Sequence, residues 1–375
     1  MARKVATSST RFALSKQRET PKWTPWRTPT DFEGVISQAL NVNVPRLNVI
    51  TNAGAVGDGN TYPDDAVPDY LDRTAATLSD RINTRTMPRC LTRHLNGAIA
   101  SAPCWAGGTV YDHELSEMAD DADPALASSS FICKYGGADI LIHNLISSTF
   151  GFTSQNGNAT WTNDMIGSGN YDFLSELSGT PFGAPGAVTV PGVVKQDYMS
   201  RAKSRLQFKY AGDVAVTNFS SLGRVQAVSL SHANNPRFTE DEGDPFRKTF
   251  AAGPPVEYDP DSGAYPREGR RGTPTLTLSI SLYVEDDKVE LVKQLNNVEI
   301  ADWSYLQQGR VAGTNGGQRY YHEAEFKVPR GRFDNVQPAD AQDDALWNIN
   351  IMGMQKAGFT GLWGARIRNT MATLS

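Results

Sequence analysis

The sequence of 375 residues has few long apolar runs, few cysteines and few recognisable catalytic motifs. No apolar stretch reaches the roughly 18 residues that a membrane-spanning helix needs. No signal peptide opens the chain. We therefore expect a soluble protein that makes no membrane contact and is produced without the usual export signals.

Only three cysteines are present, Cys90, Cys104 and Cys133. An odd number of cysteines without an export signal favours reduced, buried thiols over a disulfide framework. A zinc site could be imagined from Cys90 and Cys104 together with His94 and His113, but these spacings match no standard zinc pattern. We expect structural thiols and no metal.

Catalytic patterns are also missing from the sequence. It contains no P-loop, no dinucleotide-binding glycine pattern, no HExxH motif and no nucleophile-elbow serine. The acidic run at 119–124 lacks the glycine and the distal glutamate of a calcium loop. The pair Asp286 and Asp287 is typical of a helix N-terminus. The sequence therefore predicts neither an enzyme nor a cofactor.

The charge is distributed unevenly along the chain. The formal net charge is −5, yet the first thirty residues hold seven basic side chains against Glu19 alone. A basic arm can bind nucleic acid, or it can dock on the acidic body of a neighbouring copy. Because the remaining body is negative, nucleic-acid binding is a poor candidate for its main task. Trp23 and Trp26 anchor this proline-rich arm, and we expect it to dock.

Glycine (33 residues) and proline (21 residues) are plentiful, which fits many short strands and turns. The clearest strand runs from Thr273 to Val284, where apolar and hydroxyl residues alternate strictly. One face therefore enters a core, and the other is polar but uncharged. Such a face suggests that another surface covers it or that something slides past it. The candidates for a lumen or a subunit seam are Thr275, Thr277, Ser279 and Ser281.

Further periodicities predict other elements along the chain. Helices are expected at about 69–83, 90–100 and 287–297. Strands are expected at 42–50, 320–328 and 346–352. A hairpin is expected around Asn156-Gly157, a pair that suits a type I′ turn.

The chain divides into three parts. Residues 1–30 are the extended arm, and residues 31–178 are a first β-rich part with a helical insertion at about 54–123. After a Gly/Pro connector, residues 193–375 form a second β-rich part with a long loop at 233–272. Such a long loop is rare in a compact domain unless it has a task.

Basic residues near the end of the arm and near the end of the long loop are candidates for contacts between subunits. Arginine forks suit the carboxylates of a partner subunit, although a solvated charge run would look the same. Together with Trp23 and Trp26, the candidates are Arg27, Arg267, Arg270 and Arg271.

Three consecutive motifs in the second half carry a family resemblance. They are RVQAVSLSHANN at 224–235, TPTLTLSISLYVEDDKVELVKQL at 273–295, and YYHEAEFKVPRGRF at 320–333. With the long loop between the first two, the sequence resembles the major tail tube proteins of long-tailed, siphovirus-like bacteriophages. The segment at 10–13 and the stretch at 135–169 resemble the start of that family, whereas about 54–123 departs from it.

The resemblance implies an antiparallel β-sandwich or barrel with a flanking helix, a long inter-subunit loop and an extended arm. It implies rings of this chain, probably hexameric, stacked into a tail tube that conducts DNA during ejection. The expected location is the virion tail, after assembly in the host cytoplasm. The partners implied are further copies, the tail terminator, tape-measure and distal tail proteins, and double-stranded DNA that passes without specific binding.

Two alternatives stay open from the sequence. One is another phage structural part, such as a distal tail or capsid decoration protein. The other is a carbohydrate-binding β-sandwich, which the tryptophans at 105, 161 and 303 and the many tyrosines would serve.

Overall fold

The computed structural model describes most of the chain beyond its first thirty residues. The residues described are 12–16, 32–35, 39–43, 47–51, 66–71, 74–119, 126–135, 138–155, 158–167, 171–173, 197–210, 217–218, 223–238, 269–295, 299–339 and 346–374. They are mainly β, and all ladders between their strands are antiparallel.

The first half of the described chain contains one helix among many strands. The helix is α1, Thr86–Leu95. The strands are β1 (Phe12–Ser15), β2 (Phe32–Val35), β3 (Ala39–Asn43), β4 (Leu47–Thr51), β5 (Ala66–Leu71), β6 (Ala75–Arg81), β7 (Asn96–Pro103), β8 (Tyr111–Glu117), β9 (Ser128–Tyr135), β10 (Ala138–Gln155), β11 (Asn158–Ile166) and β12 (Tyr171–Phe173).

The second half contains a short 3-10 turn at Asp286–Lys288 that leads into helix α2, Val289–Lys293. Its strands are β13 (Ser200–Tyr210), β14 (Thr217–Asn218), β15 (Gly223–Ala233), β16 (Arg237–Phe238), β17 (Gly269–Arg270), β18 (Thr275–Val284), β19 (Glu299–Asn315), β20 (Gln318–Ala339), β21 (Leu346–Gly353) and β22 (Gly364–Asn369).

Most strands belong to one branched antiparallel sheet. Its main path is β3–β6–β11–β10–β15–β18–β21–β20–β19–β13–β14. Branches β9–β1–β2 and β12 leave β10, and branch β22–β8–β7 leaves β20. Within the described strands these ladders do not close into a ring. A single bridge, Asn83 to Tyr198, links the β6 side to the β13 side.

The sheet curls so that distant strands face each other across a core of aromatic rings. Phe152 on β10 stacks on Phe326 of β20 with ring centroids 4.4 Å apart, and on Tyr305 of β19 at 5.0 Å. None of these strands is a neighbour of β10 in the sheet. Trp161 and Trp363 lie in the same interior and are fully buried. The core therefore draws residues from both β-rich parts predicted from the sequence.

The predicted helix at 69–83 is wrong. Residues 75–81 form β6, which pairs with β11 on one side and β3 on the other. Ala76 and Leu78 are buried while Thr77 and Ser79 are partly exposed, so burial alternates with period two. The apolar residues that predicted the helix have helical spacing only, since Ala75 lies on the half-buried face of β6 and Leu78 on the buried one. Pairing on both edges decided for the strand.

The predicted helix at 90–100 is displaced towards the N-terminus. The side chain of Asn83 accepts hydrogen bonds from the backbone N–H of Thr86 at 3.0 Å and Met87 at 3.1 Å, which caps α1 at its start. Asn96 ends the helix in the left-handed region with φ of 51°. Strand β7 follows at once. The described residues of the insertion at about 54–123 thus form helix α1 and four strands, β5 to β8, and β6 and β8 take part in the main sheet.

The remaining secondary-structure predictions are largely confirmed. The strand at 273–284 is β18, and those at 320–328 and 346–352 lie within β20 and β21. The strand predicted at 42–50 overlaps β3 and β4. The hairpin partners β10 and β11 meet at the pair Gln155–Asn158. The helix predicted at 287–297 is shorter, as α2. Within the arm predicted at 1–30, residues 12–15 form β1, which pairs with β2 and β9 and buries Ala13 and Leu14. The rest of the arm beyond 12–16, the connector at 179–192 and most of the loop lie outside the described residues.

The buried side of β18 generates a stability prediction. Leu278 is fully buried in the core, so Leu278→Ala should lower the free energy of unfolding by about 2–5 kcal/mol. Thr277 is its outward neighbour, and Thr277→Ala should cost less than about 1 kcal/mol. Urea denaturation of both variants measures the difference. Equal losses at the two positions would contradict the assigned faces.

Candidate functional site

The outward side of β18 is the polar, uncharged face expected from the sequence. Thr275, Thr277 and Ser279 are exposed and Ser281 is half-buried, while the apolar residues between them are buried. Ser279 donates a hydrogen bond to Asn350 Oδ1 at 2.8 Å, and Ser281 donates one to the Oδ1 of Asn348, also at 2.8 Å. The hydroxyls are therefore tied to amides on the neighbouring strand.

The same chemistry continues across four adjacent strands, β10, β15, β18 and β21. In one register row Thr153 pairs with Ser229, Ser229 with Ser279, and Ser279 with Asn350. With neighbouring strands about 4.8 Å apart, the row is roughly 14 Å wide. We call this surface the hydroxyl face. Its members are Thr153, Gln155, Ser229, Ser231, Thr275, Thr277, Ser279, Ser281, Asn348 and Asn350.

The hydroxyl face offers hydrogen-bond donors and acceptors without fixed charge. All ten members are exposed or half-buried. Phosphate binding by proteins relies on lysine and arginine, and the face contains neither. Such a surface can lie against a second neutral surface, or let a polyanion pass without retaining it.

The predicted subunit contacts fall in different places. Trp23, Trp26, Arg27 and Arg267 lie outside the described residues. Arg270 belongs to β17, whose backbone pairs with β16 at the root of the long loop. Arg271 points into the protein, with its side chain 4% exposed, and its guanidinium pairs with Glu117. The structure thus uses Arg271 within the chain.

The Arg271–Glu117 pair is the centre of a buried polar cluster. Glu117 ends β8, and its side chain is fully buried. One carboxylate oxygen, Oε1, faces Arg271 and also lies 2.9 Å from His232 Nε2. The other, Oε2, accepts the backbone N–H groups of Leu362 and Trp363. Four groups from three separate segments therefore converge on this carboxylate.

From His232 the cluster continues as a chain of hydrogen bonds. His232 Nδ1 lies 2.7 Å from His94 Nε2 on α1, and His94 Nδ1 lies 2.7 Å from the hydroxyl of Ser147 on β10. Asn234 donates to the backbone carbonyl of His94 at 2.9 Å. The chain therefore joins α1, β8, β10 and β15.

Burial sets the protonation of this cluster. It lowers the pKa of His232 from 6.5 to about 3, and it holds the pKa of His94 well below its usual range. Burial also lowers the pKa of Arg271 to about 10, which leaves the guanidinium charged at neutral pH. Burial therefore keeps both imidazoles neutral at neutral pH. Between the two rings, one of His94 Nε2 and His232 Nδ1 carries the shared proton, and Nε2 of His232 faces Glu117 Oε1 at 2.9 Å without hydrogen-bond geometry.

The cluster anchors the two ends of the long loop. Asn234 follows β15 and Arg271 precedes β18, so they flank the segment between. The backbone N–H of Gly272 donates to the carbonyl of Asn234 at 3.1 Å. A Cβ on Gly272 would lie 2.3 Å from the carbonyl oxygen of Asn235, so this close approach requires glycine. The loop thus leaves the body from a fixed root.

The serine–histidine chain resembles a catalytic arrangement in composition only. A nucleophile or base must reach a substrate, yet His94 and His232 are fully inaccessible and Ser147 is 4% exposed. The cluster therefore has a structural role and holds α1, β8, β10 and β15 together.

The other residues considered for ligand chemistry also have structural roles. His113 contacts Ser101 and Asn369, and Cys104 contacts Asp112, so the imagined zinc set is not brought together. Across the described ranges, no group of three His, Cys, Asp or Glu residues is placed to hold a metal ion. Trp161 and Trp303 are fully buried and cannot stack on a sugar.

No protein-family model matches the chain, and no curated protein matches it. Neither α-helix in the described part of the chain has the length and hydrophobicity of a membrane-spanning helix.

Sequence reasoning missed the buried cluster, although one signal for it was present. His232 has the same parity as Val228 and Leu230 on the alternating strand, which places its ring inside. An inward histidine requires partners. Those partners, Glu117 and His94, come from distant segments, and no local pattern reveals them.

The ion pair at the loop root generates a second prediction. Arg271→Met leaves the buried carboxylate of Glu117 without its cation, and the free energy of unfolding should fall by about 3–5 kcal/mol. The matched control is Arg330→Met, which removes the half-exposed pair with Glu299 and should cost at most about 1 kcal/mol. Chemical denaturation compares the two. Equal effects would mean that burial of the first pair is not decisive.

The neutral imidazole of His232 generates a pH prediction. In the folded protein it binds a proton only near pH 3, whereas the unfolded chain binds one near pH 6.5. Its contribution to stability is therefore full above pH 6.5 and is lost as the pH falls, by up to about 1.4 kcal/mol per pH unit. His232→Gln removes this dependence, so the stability gap between wild type and variant should shrink from pH 7.5 to pH 5. Parallel stability curves would refute the neutral assignment.

Proposed function

We propose that this chain is a structural subunit of a bacteriophage tail tube, which assembles into stacked rings and conducts DNA without a catalytic step. The observation that carries the proposal is the hydroxyl face, whose ten members span four strands and carry no fixed charge, with Arg224 at its margin over the ring of Tyr283. The inner wall of a conduit for a polyanion must be hydrated and must not bind the polyanion. In this proposal the protein is located in the virion tail.

The open sheet supports assembly by strand pairing. Among the described strands, β3, β7 and β14 stand at the ends of their ladders with one partner each. Unprotected edges invite pairing with another chain. In the proposed ring, edges of this kind are completed by neighbouring copies, and the rings are expected to be hexamers.

The charge distribution supports the same proposal. The body is acidic and the first thirty residues are basic, so the arm of one copy complements the body of another. The long loop leaves from a root fixed by Arg271 and Glu117, which suits an element that must reach a neighbour from a defined position. Tail terminator, tape-measure and distal tail proteins would be the further partners.

The positions of the three tryptophans weigh against the carbohydrate-binding alternative. Trp161 and Trp303 belong to the core, and Trp105 is half-buried against Tyr320 with ring centroids 4.8 Å apart. A distal tail or decoration protein would share the β-rich architecture, and it differs in the assembly it forms.

Electron microscopy of the purified full-length protein tests the proposal. We expect long hollow rods in negative stain, because stacked rings with complementary ends propagate. A distal tail or decoration protein would give closed rings or small oligomers. A protein that stays monomeric at high concentration would contradict the proposal.

A truncated chain is the comparison for that experiment. Deletion of residues 1–11 removes Arg3, Lys4 and Arg11 and keeps β1, whose Ala13 and Leu14 are buried in the body, and we expect folded subunits or single rings that fail to polymerise. Circular dichroism should show an unchanged β-sheet spectrum. Long tubes from the truncated chain would refute the role given to the arm.

A further inference from the structure

The hairpin formed by β19 and β20 extends beyond the rest of the sheet. The last pair of β19 with β13 is Gln308–Ser200, and the last pair of β20 with β22 is Glu323–Arg368. Between these limits, as far as the described strands show, the two strands form ladders only with each other. We call residues 309–322 the ribbon.

The ribbon has a defined shape. Its turn residues Gly316 and Gly317 have φ of 56° and 84°, which is the conformation of a two-residue type I′ turn. Two pairs before the end of the ladder, Gly313 lies so close to Trp105 that a Cβ there would be 3.0 Å from the ring. Tyr320 packs on the same ring. The ribbon is therefore supported as far as Gly313 and Tyr320, and residues 314–319 form its tip.

The tip of the ribbon is exposed and basic. Residues 314–319 are all exposed, and residues 310–319 contain two arginines and no acidic residue. Arg310 pairs with Asp197 of its own chain, and Arg319 lies at the tip. Val311 is 40% exposed, one of few large apolar side chains so exposed in the described structure. A two-stranded ribbon is marginal alone in water, so packing against a partner would stabilise it.

The opposite end of the hairpin carries the complementary surface. The segment 285–293 contains four acidic residues and two lysines. Lys288 pairs with Glu285 and Lys293 with Glu290, while Asp286 and Asp287 are exposed at the start of the segment. Leu291 on α2 is 51% exposed. This surface therefore combines negative charge with an exposed apolar side chain.

These two surfaces lie at opposite ends of one long element. Helix α2 ends at Lys293, six residues before β19 begins at Glu299, and the tip lies at the other end of this strand, which ends at Asn315. A strand of 17 residues spans roughly 55 Å when fully extended. The basic tip therefore cannot reach the acidic surface of its own chain, but it can reach that of another copy.

We propose that the ribbon tip of one copy docks on the α2 surface of a second copy, with Arg319 facing Asp286 and Asp287 and with Val311 near Leu291. Because the two docking surfaces differ, the contact is heterologous and repeats from copy to copy. This inference rests on the proposed self-assembly and names the surfaces that perform it.

Charge reversal tests the contact. Arg319→Glu alone, or Asp286→Lys with Asp287→Lys, should weaken self-association about tenfold in sedimentation velocity, because like charges then meet. The chain carrying all three substitutions should recover the association of the wild type. Lys356→Glu, an exposed reversal elsewhere on the surface, is the matched control and should have no effect. No loss with Arg319→Glu, or no recovery in the combined chain, would overturn the proposal.

Cross-linking separates this contact from the tube itself. Asn315→Cys and Asp287→Cys are placed on separate full-length chains in a Cys104→Ser background, since Cys90 and Cys133 are buried. The mixed chains should cross-link, whereas Asn315→Cys mixed with Gln337→Cys should not.

The electron micrographs of the same mixtures complete the comparison. Rods without the cross-link would reject the ribbon contact and leave the tube proposal standing. The cross-link without rods would support the contact and reject the tube. If neither the rods nor the cross-link form, both proposals are rejected.

Discussion

The architecture depends on two long strands, β10 and β20, that each pair with several partners. On one side β10 pairs first with β9 and then with β15, and β20 pairs first with β22 and then with β21. Each long strand therefore passes from one region of the sheet into another. Because backbone groups buried away from water must be paired, these two strands force the regions into a single sheet whose halves enclose the aromatic core.

A second constraint is the burial of charge where the regions meet. The carboxylate of Glu117 accepts hydrogen bonds from the backbone at Leu362 and Trp363, and Arg271 neutralises it. A buried ion pair adds little net stability compared with apolar packing, but it is costly to break. Its value here is positional, since it holds the end of β8 against β15 and the loop root. The outward face of β18 therefore presents no charge to its surroundings, whereas the buried ion pair just before β18 fixes the position of the loop root.

Sequence periodicity predicted the elements whose pattern was unambiguous. The alternation in β18 and β21 gave their faces correctly, because period two leaves one choice of buried side. The pattern at 69–83 misled, because its apolar residues have helix spacing and fall on both faces of a strand, and pairing with β3 and β11 overrode that spacing. The hydroxyl positions on β18 were predictable from local sequence. Their continuation onto Ser229 and Asn350 depends on register, and the partners of Glu117 depend on contacts more than a hundred residues apart.

The neutral chemistry of the hydroxyl face has a consequence for its behaviour in salt. Mobile ions gather where a surface carries fixed charge, and their release makes protein–polyanion affinity vary steeply with ionic strength. Ten side chains that carry only alcohol or amide groups hold no such ion atmosphere. The affinity of this face for a polyanion depends on ordered water and shape. It should be nearly the same at low and at high salt concentration.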